Sequence, residues 1–359
     1  MSVSKLEIKE GVPLSGHTTI GVGGRARFFF SCGSVEHLRT GLLFAKEKGL
    51  RAHILGGGSN TIIADAGFDG VVLKIDLQGV RMHEEGAWLF LSAAAGEKWD
   101  ELVKTCVERD AAGIECLSGI PGTVGATPIQ NVGAYGQEVS ETIVSLRLMD
   151  RDSLEMLEMD GRDCEFRYRQ SRFKSREKDR YIITEVTYRL RRHASPEVEY
   201  PELARHLALA SDLGKLEGGR ASLKAVREGV IALRRKKSMV IDPSDPNSRS
   251  VGSFFLNPVL TDEELRPFQE RCRKSGEKGP VSTFRMESGT KIPAAWLVEH
   301  AGFSKGYVKG GAGISTNHAL AIVNCGGTAK EILALAEEIE KGVYNRFGIR
   351  LEREPVIVG

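Results

Sequence analysis

Two glycine-dense stretches constrain this chain more than any other feature. One, Gly56, Gly57, Gly58, Ser59 and Asn60, closes the apolar run from Ala52 to Leu55. The other spans Ser118 to Gly136, running through Ile120, Pro121, Gly122, Thr123, Val124, Gly125 and Ala126 into Gln130, Asn131, Val132, Gly133, Ala134, Tyr135 and Gly136. Glycine loses more freedom on folding than any other residue, so such clusters mark places where the backbone turns sharply or is approached closely. A diphosphate makes such an approach, because it is held by converging backbone N–H groups that side chains would screen. Gly21, Val22, Gly23 and Gly24 form a further candidate. Each stretch alone fits a tight turn; together they favour a dinucleotide ligand. Neither the Walker loop nor the Rossmann fingerprint fits, since no Gly-x-x-x-x-Gly-Lys-Ser/Thr run occurs and the glycine spacing after the first strand is wrong. What remains is a dinucleotide held by a different fold.

The surrounding periodicities place these loops. Ser34 opens a segment with Leu38, Leu42 and Ala45 at helical spacing that stops near Gly49, which predicts a helix. Ala52 to Leu55, the glycine loop and Gly70 to Ile75 read as strand, loop, strand. Trp88 to Ala95 reads as a strand, followed by a helix with Trp99, Leu102, Val103, Cys106 and Val107 on one face. Ile182, Thr184, Val186, Tyr188 and Leu190 alternate with polar residues as in a half-buried strand. Periodicity weakens from Arg191 to Gly219, which puts a domain boundary near its end. An amphipathic helix then runs from Ser222 through Leu233 into Arg234, Arg235, Lys236 and Lys237. Thr328 and Glu331 form a capping box ahead of Ile332, Leu335, Ala336, Ile339 and Val343. Ile349 to Val358 reads as a closing strand.

At 359 residues the chain exceeds what one core sustains, so at least two domains are expected. Lys plus Arg number 50 against 48 Asp plus Glu, a balance too even for a nucleic-acid or anionic-membrane partner, so any anion site is local. The 6 cysteines form no Cys-x-x-Cys pair, which argues against zinc or a redox dithiol. No signal-peptide or membrane-span pattern is present, and a cytoplasmic protein without a bound metal is expected.

The ending Gln130, Asn131, Gly133, Ala134, Tyr135, Gly136 resembles the UDP-N-acetylenolpyruvoylglucosamine reductase family. Further blocks agree in order: Thr18, Thr19, Gly21, Gly23 and Gly24; Gly56 to Asn60; Phe166, Tyr168, Arg169, Ser171 and Phe173; Gly252 to Pro258; and Glu354. The resemblance implies an α+β fold, an FAD-binding module of the vanillyl-alcohol-oxidase (PCMH) type followed by a smaller C-terminal α/β substrate-binding domain. The implied domains are 1–75 and 76–219 for the two FAD-binding subdomains and 220–348 for the substrate domain, with 349–359 returning to the first. It also implies noncovalent FAD, since Ser59 and Asn60 stand where relatives could tether a flavin, and NADPH as hydride donor. The acceptor is UDP-N-acetylglucosamine enolpyruvate, the acting species is expected to be a monomer, and the reaction serves peptidoglycan synthesis.

Residue roles follow from the resemblance and from the chemistry. Hydride addition to the outer carbon of an enolpyruvyl group leaves charge on the inner carbon and its carboxylate, so the site needs a cation, donors and an acid. Arg169 suits the carboxylate, Ser253 between Gly252 and the Phe254–Phe255 pair is the implied proton donor, and Glu354 supports the relay or donates in its acid form. Many relatives read Glu-Pro-Glu-Val where this chain has Leu351, Glu352, Arg353, Glu354, Pro355, Val356, so Glu352 stays open as a second candidate. The FAD contacts implied are Gly56 to Asn60, Pro121, Gly122, Thr123, Gly125, Ala126, Gln130, Asn131, Gly133, Ala134 and Tyr135. Substrate contacts implied are Tyr168, Lys237 at the diphosphate, Asn257, His318 and Tyr200 on a covering loop. Competing readings are a flavin oxidase of the same superfamily and a nucleotide-binding regulator without chemistry.

Overall fold

In the computed structural model, residues 7–211, 222–274, 281, 283–286 and 289–359 are described. The chain divides into two compact units. The first comprises the chain up to Val12, Ala26–Gly57 and Asp69–Val240; the second comprises Pro13–Arg25, Gly58–Phe68 and Ile241–Gly359. The chain therefore passes from one unit to the other inside the glycine loop, between Gly57 and Gly58.

In the first unit, a four-stranded sheet has the order Lys9–Pro13, Arg25–Cys32, Phe68–Ile75, Arg51–Leu55. Its last two strands are parallel, with Leu55 opposite Lys74. Helix α1 (Val35–Glu47) starts where the sequence predicts, because the Ser34 hydroxyl accepts from His37 N. It lays Leu38 and Leu42 over Phe30, Val71 and Leu73. A second, antiparallel sheet has the order Met156–Asp160, Ile143–Asp150, Tyr181–Arg192, Trp88–Ala94, Val80–Glu85, with Ala111–Ala112 also on the long strand. The alternation read from Ile182 to Leu190 falls in that strand, where Val186 faces Leu146 on one side and Ala93 on the other. Helix α2 (Trp99–Glu108) packs Trp99, Leu102 and Val103 against Leu91, Val186 and Tyr188.

The weakly periodic stretch after Arg191 contains a helix that the sequence reading lacks, α3 (Pro201–Ser211). Proline at its start is compatible with the first helical turn, and Leu203 and Leu207, four apart, bury one face. Their partners are Cys116 and the Val226, Val230 and Leu233 stripe of helix α4 (Leu223–Lys236), capped by Ser222. The expected boundary at Gly219 lies outside the described residues, and α4, which follows it, packs within the first unit.

The second unit is built on helices α5 (Asp262–Lys274), α6 (Ala294–His300) and α7 (Ala329–Phe347). Phe268, Leu297, Ile332, Ile339 and Phe347 from these helices enclose Phe254 and Phe255. Both halves of the Thr328–Glu331 capping box form. The closing strand is shorter than the sequence reading: only Val356–Val358 pairs, parallel to Thr61–Ile63. Pro355, which has no N–H to give a ladder, stands at its entry. Upstream, Arg353 pairs with Phe255 in an isolated bridge.

Candidate functional site

In the first unit, the loop at 56–57 and the loop at 118–126 meet backbone to backbone. A Cβ on Gly57 would lie 2.6 Å from Gly122 Cα, whereas one on Gly56 would meet the Thr123 hydroxyl at 3.1 Å. Gly122 has φ +117°, open in practice to glycine alone. The second loop is moulded by the segment before α2: Val124 N donates to Glu97 O, Gly125 N to Ala95 O, and Trp99 N to Gly122 O. Trp99 Nε1 adds a bond to Leu117 O at 3.1 Å, and the Asp100 carboxylate accepts from Gly119 N at 2.6 Å. With Ala126 N also bonded, to Thr123 O, the N–H groups of Gly57, Gly122 and Thr123 have no protein acceptor among the described residues. Gly57 and Gly122 are half-buried and Thr123 is buried; a phosphate-bearing ligand against these loops fits the arrangement.

Asn131 is held differently. It is 1% exposed, and its amide donates to Glu138 Oε2 at 2.6 Å and to Arg167 O at 3.2 Å while accepting from Ser140 N. It thus braces the hairpin in which Gly133 pairs with Glu138 and Ala134 with Gln137. The two residues of the turn, Tyr135 and Gly136, both have positive φ, at +49° and +92°, as such a turn requires. Tyrosine there is strained, at a cost of about 1–3 kcal/mol. Gln130 precedes this brace, next to Ile129, whose carbonyl accepts from buried Ser171.

Arg169 occupies a second strained turn. Arg167 and Gln170 exchange both backbone bonds, and Arg169 between them has φ +53°. Its guanidinium donates to Asn131 O at 3.2 Å and to Gly133 O, lies 3.9 Å from Glu138 Oε1, and rests over the Tyr168 ring. Tyr168, Arg169, Asn131 and Tyr135 are therefore one assembly. Tyr135 meets Tyr200 edge to face with ring centroids 5.4 Å apart, and Lys237 Nζ stands 5.9 Å from the Tyr135 centroid. Lys237 is paired with Glu202 at 2.6 Å. Burial pushes the Tyr135 hydroxyl up to about 12, partly offset by the cation of Arg234. Burial also lowers Arg234 to about 10, and its Nε has no hydrogen-bond partner among the described residues.

In the second unit, Gly58 has φ +65°, and a Cβ there would lie 2.0 Å from His17 O. Asn60 Nδ2 donates to Glu354 O at 3.2 Å, and Val356 N to Asn60 O; Ser59 separates Gly58 from Asn60 in the chain. The Ser253 hydroxyl is 3.3 Å from His318 Nε2. Glu354 N donates to Phe254 O, which puts Glu354 across from the residue next to Ser253, and Phe254 N donates to Leu320 O. Glu352 is exposed while Glu354 is half-buried. Asn257 uses its Oδ1 to accept from Ala294 N at the start of α6.

Sequence reasoning passed over Glu138, Glu202, Asp100 and Lys74, which donates from Nζ to Gly56 O at 2.7 Å. Asp100 is bidentate with Arg227 at 2.6 and 2.9 Å. Burial opposes its ionisation, yet the bonds from Arg227 and Gly119 N hold its carboxyl below the usual range. Only the place of Asp100 in the first turn of a helix hinted at an anchoring role. Among the described residues no cluster could hold a metal ion, and no helix is long and apolar enough to cross a membrane.

This fold and these loops define an α+β chain with an FAD-binding module and a C-terminal domain of its own family. The family model described as "FAD binding domain" matches residues 26–156, and that described as "UDP-N-acetylenolpyruvoylglucosamine reductase, C-terminal domain" matches 243–358. The chain belongs to the UDP-N-acetylenolpyruvoylglucosamine reductase family. The reductase of that name from Thermobifida fusca is 43% identical over 353 residues, 97% of each chain. That of Mycobacterium tuberculosis is 41% identical over 362 residues, covering 98% of this chain and 95% of the relative. A crystal structure of the Thermus caldophilus reductase superposes with a TM-score of 0.64 at 21% identity over 99% of both chains, a likeness of fold.

Proposed function

We propose that the protein is a cytoplasmic flavoenzyme that reduces UDP-N-acetylglucosamine enolpyruvate to UDP-N-acetylmuramate with NADPH, in peptidoglycan precursor synthesis. The observation that carries the cofactor is the pair of glycine loops in contact, with the N–H groups of Gly57, Gly122 and Thr123 unpaired among the described residues. The substrate rests on full-length relatives that bear the reductase name. Noncovalent FAD is held by Gly56 to Asn60, Pro121 to Ala126 and the hairpin residues Gly133, Ala134 and Tyr135, with Gln130 and Asn131 beneath them.

When bound, FAD supplies to the outer enolpyruvyl carbon the hydride received from NADPH. Arg169, its guanidinium oriented by the Asn131 and Gly133 carbonyls, binds the carboxylate as charge builds there. The Ser253 hydroxyl gives its proton to the inner carbon, which completes the reduction. A serine hydroxyl is a weak acid, so it needs reprotonation, and Glu354 supports that relay; His318, whose Nε2 lies 3.3 Å from the hydroxyl, contacts the substrate. Tyr168, Tyr200, Lys237 and Asn257 hold the remainder of the substrate, with Lys237 at the diphosphate.

Anaerobic mixing of NADPH-reduced protein with the enolpyruvyl substrate tests donor, cofactor and acceptor together. The absorbance of oxidised flavin returns on mixing if the reading holds. A protein that takes up no FAD, or whose reduced flavin is reoxidised by oxygen and alcohols but not by this substrate, refutes it.

A further inference from the structure

Both glycine loops of the first unit hold a peptide from behind. No described peptide bond is cis, and in a planar trans peptide the C=O of one residue and the N–H of the next point in opposite directions. Lys74 stands opposite Leu55 on the neighbouring parallel strand, and its Nζ reaches past the strand end to Gly56 O at 2.7 Å. The N–H of Gly57 belongs to that same peptide and so faces away from Lys74. At the second loop, Trp99 N holds Gly122 O at 3.1 Å, which turns the N–H of Thr123 outward in the same way.

Neither N–H has a protein acceptor among the described residues. The two peptides are neighbours, since a Cβ on Gly57 would lie 2.6 Å from Gly122 Cα and 3.4 Å from Thr123 N. An ammonium bonded to a carbonyl also polarises the peptide and strengthens its N–H as a donor. The Lys74 side chain is 19% exposed and only loosely paired with Asp76, at 3.6 Å.

We propose that Lys74 is a positioning residue for the diphosphate of the flavin dinucleotide: by fixing the Gly56 carbonyl it presents the Gly57 N–H, beside that of Thr123, to the anion. The inference rests on the FAD reading above. Lys74 acts through the peptide rather than on the ligand, so its effect depends on the phosphates and not on the isoalloxazine ring.

That dependence separates positioning from simple support of the strand end. The full chain is prepared without flavin as wild type, Lys74→Met and Lys74→Arg, and titrated with FAD and with riboflavin, which has the same ring but no phosphate, by flavin fluorescence. Lys74→Met weakens FAD by about tenfold to a hundredfold, the scale of a charge-assisted hydrogen bond, leaves riboflavin within about twofold, and Lys74→Arg recovers most of the loss. Equal weakening of both flavins means a collapsed strand end and overturns the proposal, as does wild-type FAD affinity in Lys74→Met. Wild-type protein that binds no FAD refutes the cofactor reading itself, and this inference with it.

Discussion

Gly57→Ala tests the loop contact with almost no backbone strain, because Gly57 is not in the left-handed region that its neighbour Gly58 occupies. The new methyl would lie 2.6 Å from Gly122 Cα and 3.1 Å from Gly122 C. Carbon atoms pack at about 3.5 Å or more, so the loops must part by about 0.9 Å. Both atoms opposed are backbone, and Gly122 is tethered through its carbonyl to Trp99 N, so no side-chain rotation relieves the clash. Overpacking of this kind costs about 1–3 kcal/mol. The same displacement separates the Gly57 and Thr123 N–H groups, so the expected loss of FAD affinity is about tenfold or more. Gly56→Ala is the internal control: its methyl meets the Thr123 hydroxyl at 3.1 Å, a group that can rotate, and Ala126 Cβ at 3.9 Å, an ordinary contact. Urea unfolding of the flavin-free proteins gives the stability term, and FAD titration gives the affinity. Wild-type FAD affinity in Gly57→Ala, or a larger loss in Gly56→Ala, would refute the reasoning.

Ser253→Ala is expected to leave flavin reduction by NADPH intact and to slow reoxidation by the enolpyruvyl substrate by about 10²–10⁴-fold, the usual contribution of a positioned acid; stopped-flow absorbance reads the two half-reactions separately, and unchanged reoxidation removes Ser253 from the mechanism. His53 is pushed down to about 4 by burial, with Asp179 opposing and Arg151 reinforcing the shift. The unfolded chain therefore binds a proton that the folded chain refuses as pH falls from about 6.5 to 4, and stability drops over that window by roughly 2 kcal/mol at pH 5. His53→Gln should flatten this part of the urea-midpoint profile, and an unchanged profile counts against it. Arg227→Met removes both bonds to Asp100 and is expected to cost about 1.5–3 kcal/mol, with an Asp100→Asn/Arg227→Met double-mutant cycle isolating the coupling. Thr328→Ala removes one half of the capping box of α7 and should lower stability by about 1 kcal/mol, read in the same urea assay.

The elements that could be read from sequence were those whose cause is local. Ser34 and Thr328 cap the helices they announce, and the alternation from Ile182 to Leu190 becomes a strand because both of its neighbours bury the same face. Helix α3 was hidden because only Leu203 and Leu207 mark its apolar stripe, and their meaning depends on the α4 stripe some two dozen residues later. The closing strand was overextended because periodicity does not register the missing N–H of Pro355, whereas the ladder does. The glycine loops were visible, but for an incomplete reason. Room for a ligand explains N–H groups without partners; it does not explain why Gly57 tolerates no methyl, which follows from Gly122 pressing on it from a segment more than sixty residues away. The same applies to Arg169: its type and motif pointed to a carboxylate, yet what aims it is a left-handed turn and the carbonyls of a hairpin whose own tyrosine is strained. Two residues read as site residues, Tyr135 and Arg169, adopt left-handed backbone conformations that their side chains disfavour, while Asn131, also left-handed, is of a type that tolerates that region. The Asn131 side-chain amide bonds Glu138 and the Arg167 carbonyl, and the Arg169 guanidinium bonds the Asn131 and Gly133 carbonyls, so the two turns share one hydrogen-bond network. Local propensity argues against each of these turns; the hydrogen bonds among the residues hold them there together.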